Sequence, residues 1–329
     1  MSQKRLKLPD NLVYYNRSVT TLKHPNQLIE GEYLLSEYIL SCCSTADLSK
    51  AYLESRDIRY ICFHYELDGK QYLDDLGETM SSADFYKKME EGAMTRTSQV
   101  NEEEYVGYFE SLLKEGKDIL HLCLSSGLSG TVNGANAAAA ELMEKYPDRK
   151  IYVVDSLAAS SGFGLLMDTL ADKRDEGMGL EELRDWAINH RLYLHHWFFS
   201  TDLKYYVRGG RISKTSGFIG GILGICPLLN VNDEGKLIPR EKIRGKKRVI
   251  TAIVERMKEH AAGGKEYNGK CFISMSACPE DANAVARMVE EAFPRLDGKV
   301  HIFDIGTTIG SHTGPGTVAL FFWGDKRGQ

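Results

Sequence analysis

Residues 38–325 predict an α/β protein of two domains, a parallel-sheet α/β unit followed by an α+β unit with a mixed or antiparallel sheet. Three observations carry that prediction. The chain has 329 residues, long for one compact core and comfortable for two. Between 38 and 165, short β-rich runs alternate with helical patterns, and each strand leads into a small-residue turn, as in parallel sheets. Beyond about 195, strand candidates dominate, two of them joined by the hairpin signal Asp233-Glu234-Gly235.

Residues 1–36 are polar and aperiodic, and predict an N-terminal arm. YILSCC (38–43) and YICFHY (60–65) read as strands, with a helix across ADLSKAYLES between them. A helix around 83–91, a turn at MTRTSQ and a helix over 103–114 follow. ILHLCLSS (119–126) predicts a buried strand, GLSG a turn, and the Ala-rich stretch 131–145 a helix. KIYVVDS (150–156) is the next strand, again leading into a helix. Three loops, 41–45, 125–131 and 155–161, thereby fall at the carboxyl ends of parallel strands, where ligands collect. The later strands are 197–203, 226–232, 236–244, 271–277, 300–306 and 317–324, with helices near 246–261 and 280–293. The expected division is 1–36, 37–165 and 166–329, with segments free to interleave.

Composition narrows the function. A formal net charge of −5 gives no basic surplus for a nucleic-acid partner. No apolar run approaches the roughly 20 residues of a membrane span, and the start MSQKRLKLPDN lacks the apolar core of a secretory signal. The seven cysteines form no C-x-x-C pair and the nine histidines no H-E-x-x-H, so reduced thiols, a cytoplasmic location, no stable membrane insertion and no metal or cofactor are expected.

Four motifs offer polar groups on turns. Thr97-Ser98-Gln99 places two hydroxyls before a helix, where Thr97 or Ser98 serves either as a cap or as a ligand. SSGLSGT (125–131) follows a strand and opens a helix, whose free N–H groups favour an anion; Ser129 or Thr131 as a plain N-cap is the competing reading. GGRIS (209–213) sets Arg211 beside glycines, a fork of donors for a carboxylate or phosphate. GSHTGPG (310–316) holds His312 among small residues, a polar handle on a rigid turn. The segment GFIGGILG (217–224) is not a G-x-G-x-x-G nucleotide loop.

In this order, and with Val153 to Ser156 as a V-x-D-S strand end, these motifs resemble the DegV family over about residues 38–325. The matching stretches are Thr97 to Gln99, Ser125 to Thr131, Val153 to Ser156, Gly209 to Ser213 and Ser311 to Gly316. The chain departs from the family pattern at Cys43, where Asp is usual, at Val100-Asn101 in place of Pro-Ser, and at Cys226 in place of Lys.

The resemblance implies a DegV-like two-domain bacterial protein that binds one long-chain fatty acid, such as palmitate or oleate, in a tunnel between its domains. It implies a carrier with no catalytic residue of its own, presenting the carboxylate to the catalytic subunit of a fatty acid kinase that feeds phospholipid metabolism. Thr97 and Ser129 would hold the carboxylate, with Ser126 and Ser98 as further candidates. Arg211 and His312 would face the head group and the arriving phosphate. Phe218, Ile219, Ile222, Leu223 and Ile225 would line or gate the acyl tunnel. The alternative on the same residues is a serine-dependent acyl transferase or hydrolase, with Ser129 as nucleophile and His312 as base. A sugar-phosphate or nucleotide binder is a third reading.

Overall fold

The computed structural model describes residues 19–24, 27–31, 38–213 and 224–328. Met1–Glu37 and Tyr38–Gln329 form separate units. In the first, β1 (Val19–His24) and β2 (Gln27–Gly31) pair antiparallel. A polar, aperiodic segment can still satisfy its backbone through a two-stranded ladder.

The second unit begins with β3 (Tyr38–Cys43), α1 (Lys50–Ser55) and β4 (Ile58–Ile61), then β5 (His64–Leu67), β6 (Lys70–Leu73), α2 (Ser82–Glu90) and β7 (Thr95–Ser98). Next come α3 (Glu102–Leu113), β8 (Asp118–Cys123), α4 (Thr131–Lys145), β9 (Ile151–Asp155), α5 (Ser160–Asp175) and α6 (Leu180–His190). The chain continues through β10 (Leu194–Ser200), α7 (Lys204–Arg208), β11 (Ile225–Val231), β12 (Leu237–Arg244), α8 (Lys246–His260) and β13 (Phe272–Met275). It closes with α9 (Pro279–Ala292), β14 (His301–Asp304), α10 (Thr307–Thr313) and β15 (Thr317–Trp323).

The described residues of this unit form three sheets. The parallel sheet has the order β4-β3-β8-β9, and every residue of β3 is buried, as a strand covered on both faces must be. A small antiparallel sheet, β6-β5-β7, follows the first βαβ unit. The run 60–65, expected as one strand, is divided between β4 and β5, which belong to different sheets. The six-stranded sheet has the order β12-β11-β10-β15-β13-β14, antiparallel except for β13 with β14.

Alternation along β10 and β15 sorts this sheet into two faces. Trp197 and Phe199, with Val318, Leu320 and Phe322, join the core formed with α8 and α9. Phe198, Ala319 and Phe321 face the other way, into the core shared with α5 and the parallel sheet. That second face forms one wall of a cavity. No helix among the described residues is long and apolar enough to cross a membrane.

Candidate functional site

The cavity measures about 470 Å³, within the range of small-molecule sites. Its apolar wall comes from Leu124, Leu128, Phe198, Leu237, Ile309 and Phe321. Thr97, Ser98, Ser129, Arg211 and His312 line it as well. Among the lining residues Ser98, Gln99 and Gly130 are exposed, so this polar side opens to solvent.

Thr97 and Ser98 lie on β7, not in the expected turn. β7 forms because it pairs with β5, Thr97 opposite Tyr65. Neither hydroxyl caps the following helix. Asn101 does, through a capping box in which its side chain accepts from Glu104 N at 2.9 Å and Glu104 returns the bond at 2.8 Å. Thr97 is thereby released for other work.

The loop after β8 is built by Ser125, whose hydroxyl donates to Gly235 O at 2.9 Å and accepts from Gly127 N at 3.1 Å. A Cβ at Gly127 would stand 2.6 Å from Glu234 O, so only glycine lets the β11–β12 hairpin come this close. The expected N-cap of α4, Ser129 or Thr131, is corrected to Gly130, which supplies no side-chain cap. Ser129 Oγ instead accepts from Thr131 N at 3.3 Å and donates to Gln99 Oε1 at 3.4 Å. The open first turn of a 15-residue helix therefore meets the cavity at Gly130, with N–H groups and the positive end of the dipole available to an anion.

His312 sits in α10, a short helix where a rigid turn was expected. Ser311 Oγ donates to Thr307 O at 2.8 Å, and Thr307 Oγ1 donates to Asp74 at 2.9 Å, so hydroxyls hold a segment that its glycines would otherwise loosen. His312 Nε2 lies 2.7 Å from Thr97 Oγ1 and Nδ1 lies 3.5 Å from Arg211 Nη1. Arginine has no acceptor, so Nδ1 accepts and the ring proton resides on Nε2. Nε2–H then donates to Thr97 Oγ1, which leaves the Thr97 hydroxyl proton for the cavity. Burial, reinforced by Arg211 and Arg208, pushes His312 down to about 3, so the ring is neutral at pH 7.

Arg211 is anchored by donating Nη1 to Gly209 O at 2.6 Å and Nε to Leu128 O at 3.3 Å. It thus ties the end of α7 to the loop that carries Ser129. Burial lowers its guanidinium from the ordinary value, yet it stays charged at neutral pH. A Cβ at Gly209 would fall 2.1 Å from His312 Nδ1, which is why a glycine precedes this arginine by two residues.

The structure therefore brings Thr97, Ser98, Ser129, Arg211 and His312 to one cavity and leaves others apart. Ser126 is exposed, its N–H bound to Asp155 Oδ1 at 3.1 Å, and does not line the cavity. Ile225 lies on β11 opposite Arg244, away from the lining. Phe218, Ile219, Ile222 and Leu223 lie outside the described residues. Sequence reasoning missed His196 and Thr313, which line the cavity with Nε2 and Oγ1 lacking hydrogen-bond partners among the described residues. The period-2 pairing of His196 with Phe198 was the available signal, hidden in the continuous run LHHWFFS.

A pH dependence follows from His312. Its folded-state value lies below the ordinary 6.5 of an unfolded histidine, so the fold favours the neutral ring. That contribution is complete above about pH 6.5 and is lost as pH falls towards about 3. His195, pushed down to about 4 by burial, acts in the same direction. Buried Asp47 and Asp74, whose carboxyls are pushed up by burial, act in the opposite direction, so the test is the difference: between about pH 7.5 and 5 the stability of ligand-free wild type relative to His312→Gln is expected to fall. A difference that stays constant with pH would contradict the assignment.

Comparison with known proteins adds the following. A sequence model of the family described as "Uncharacterised protein, DegV family" matches residues 43–325. A DegV domain-containing protein of Clostridium perfringens is 38% identical, over 89% of this chain and 99% of its own. A protein of Thermotoga maritima named fatty acid-binding protein is 31% identical, over 84% and 94%. A Thermus thermophilus structure described as fatty acid binding of a DegV family protein superposes with a TM-score of 0.78 at 26% identity, over 88% and 99%.

Proposed function

The chain belongs to the DegV family, and from that premise we propose that it carries one long-chain fatty acid, such as palmitate or oleate, in the cavity described above. The observation that carries this reading is the joining of an apolar wall to one linked set of carboxylate partners, Thr97, His312 and Arg211, beside the open start of α4. At roughly 0.8 kcal/mol per buried methylene, a chain of about 15 contributes on the order of 10 kcal/mol before association costs. The head group need only be satisfied, since an unpaired buried carboxylate would cancel much of that gain. Thr97 O–H, Ser129 O–H in exchange for its long bond to Gln99, and the N–H groups at Gly130 satisfy it, and the positive end of the α4 dipole offsets its charge.

The finer part of the proposal is that a partner fatty acid kinase phosphorylates the exposed carboxylate, with Arg211 and His312 beside the arriving phosphate. The division at 165 and 166, with the cavity between the two parts, and a cytoplasmic location belong to the same proposal. The hydrolase alternative is disfavoured by the tautomer derived above. Arg211 and Thr97 occupy both nitrogens of His312, and its value of about 3 makes it a poor base.

Thr97→Ala and Ser129→Ala are each expected to weaken palmitate and oleate binding by about 1–3 kcal/mol, because each leaves the carboxylate one donor short. Calorimetric titration with delipidated protein tests this. Wild-type affinity in both variants would refute the head-group site.

A further inference from the structure

A second constellation lies away from the cavity lining, on the face of the parallel sheet covered by α3. Cys42 pairs with Leu122 across β3 and β8, so Cys43 and Cys123 are neighbours at the ends of adjacent parallel strands. His121 precedes Cys123 by two residues and therefore shares its face. The two thiol sulfurs and one ring nitrogen of Cys43, His121 and Cys123 all lie within 4.8 Å of one another, and all three residues are buried.

We propose that Cys43, Cys123 and His121 form a binding site for a thiophilic cation, of which Zn²⁺ is the test case. Four features support it. A tetrahedral ion with sulfur at about 2.3 Å and nitrogen at about 2.0–2.1 Å sets its S···N edge near 3.6 Å. Cys43 Sγ and His121 Nε2 are 3.7 Å apart.

His121 also carries the outer partner that a metal-bound imidazole needs. Its Nδ1 lies 2.9 Å from Ser41 Oγ, which in turn lies 2.7 Å from Tyr108 Oη. Donation from Nδ1–H to Ser41 directs the Nε2 lone pair towards the sulfurs. Tyr105, Tyr108 and Phe109 surround the ring edge-on, which fixes its plane. Finally, two thiolates neutralise a divalent cation, so the buried cluster carries no net charge once loaded.

Tyr105 Oη stands 3.3 Å from Cys43 Sγ, an outer hydrogen-bond partner for that sulfur. The same hydroxyl bonds Thr131 Oγ1 at 2.7 Å, at the first residue of α4. The ion would thus pin β3, β8 and α3 beneath the loop that carries Ser129. The ligands come from two strands 78 residues apart, so no C-x-x-C spacing announces them.

Reduced, chelator-treated full-length protein, titrated anaerobically with Zn²⁺ and with Co²⁺, tests the proposal. One equivalent is expected, and the Co²⁺ form should show a thiolate-to-metal charge-transfer band whose intensity counts two sulfurs. Cys43→Ser and Cys123→Ser are each expected to lose the band and to weaken binding at least about 100-fold, and Ser41→Ala to weaken it about tenfold or more. Asp325→Asn, which alters the separate His195–His260–Asp325 cluster, should leave the band unchanged. The wild-type spectrum reads the site without any variant, so a misfolded cysteine variant does not remove the test. Folded reduced protein with no band, a band that persists in Cys43→Ser, or oxidation to a Cys43–Cys123 disulfide as the pair's sole chemistry would each overturn the site.

Discussion

With the fatty acid kinase proposed above as partner, Arg211→Ala is expected to lower acyl-phosphate formation roughly 100-fold or more, while palmitate affinity changes by less than about tenfold. The split follows from where the guanidinium spends its donors. Nη1 and Nε are committed to Gly209 O, Leu128 O and the edge of His312, and the remaining corner makes no hydrogen bond to the described residues. A carboxylate held, as proposed, by Thr97, Ser129 and the α4 N-terminus needs that corner little. A phosphoryl group adds charge in a half-buried cleft, where a planar fork is most effective. Arg211→Lys should rescue poorly, because a point charge cannot hold two backbone carbonyls and a phosphate together. His312→Ala should show the same split more mildly, by freeing Thr97 to rotate. Phosphorylation of Arg211→Ala at the wild-type rate would reduce Arg211 to a tether for the Leu128 loop.

The second large effect concerns the tail. Ala319 lies opposite Phe198 in the β10–β15 ladder, and both line the cavity. Ala319 sits where the core borders the cavity, so Ala319→Phe directs a ring towards the cavity, and a thermal melt of the variant checks that the fold survives. The lost room corresponds to roughly four methylenes, or about 3 kcal/mol for a long acyl chain, a fall of roughly 200-fold. Acids short enough to stop before the ring should bind as in wild type. Titration with saturated acids of graded length reads this directly, and equal loss at every length would mean that Ala319 does not face the tail.

Local chemistry explains which parts of this architecture were legible beforehand. The helix at 131–145 was readable from its alanines, and the buried strands at 38–43 and 118–123 from their apolar runs between turn signals. β7 was not, because four polar residues become a strand only through pairing with β5. α10 was not, because its glycines and hydroxyls suit a loop until Asp74 and Thr307 hold it. The site was legible where a motif carried a charged or hydroxyl side chain, as at Thr97, Ser129, Arg211 and His312. It was not where period-2 alternation ran through a strand apolar on both faces, which hid His196, Ala319 and Phe321. The tautomer of His312 was beyond reach as well, since it depends on an arginine 101 positions away.

The central claim is that this cavity holds a fatty acid. Organic extraction of the purified protein, followed by mass spectrometry of the extract, tests it most directly. The expected result is close to one equivalent of long-chain fatty acid per chain. Protein that emerges empty, and that then takes up neither palmitate nor oleate, would contradict it.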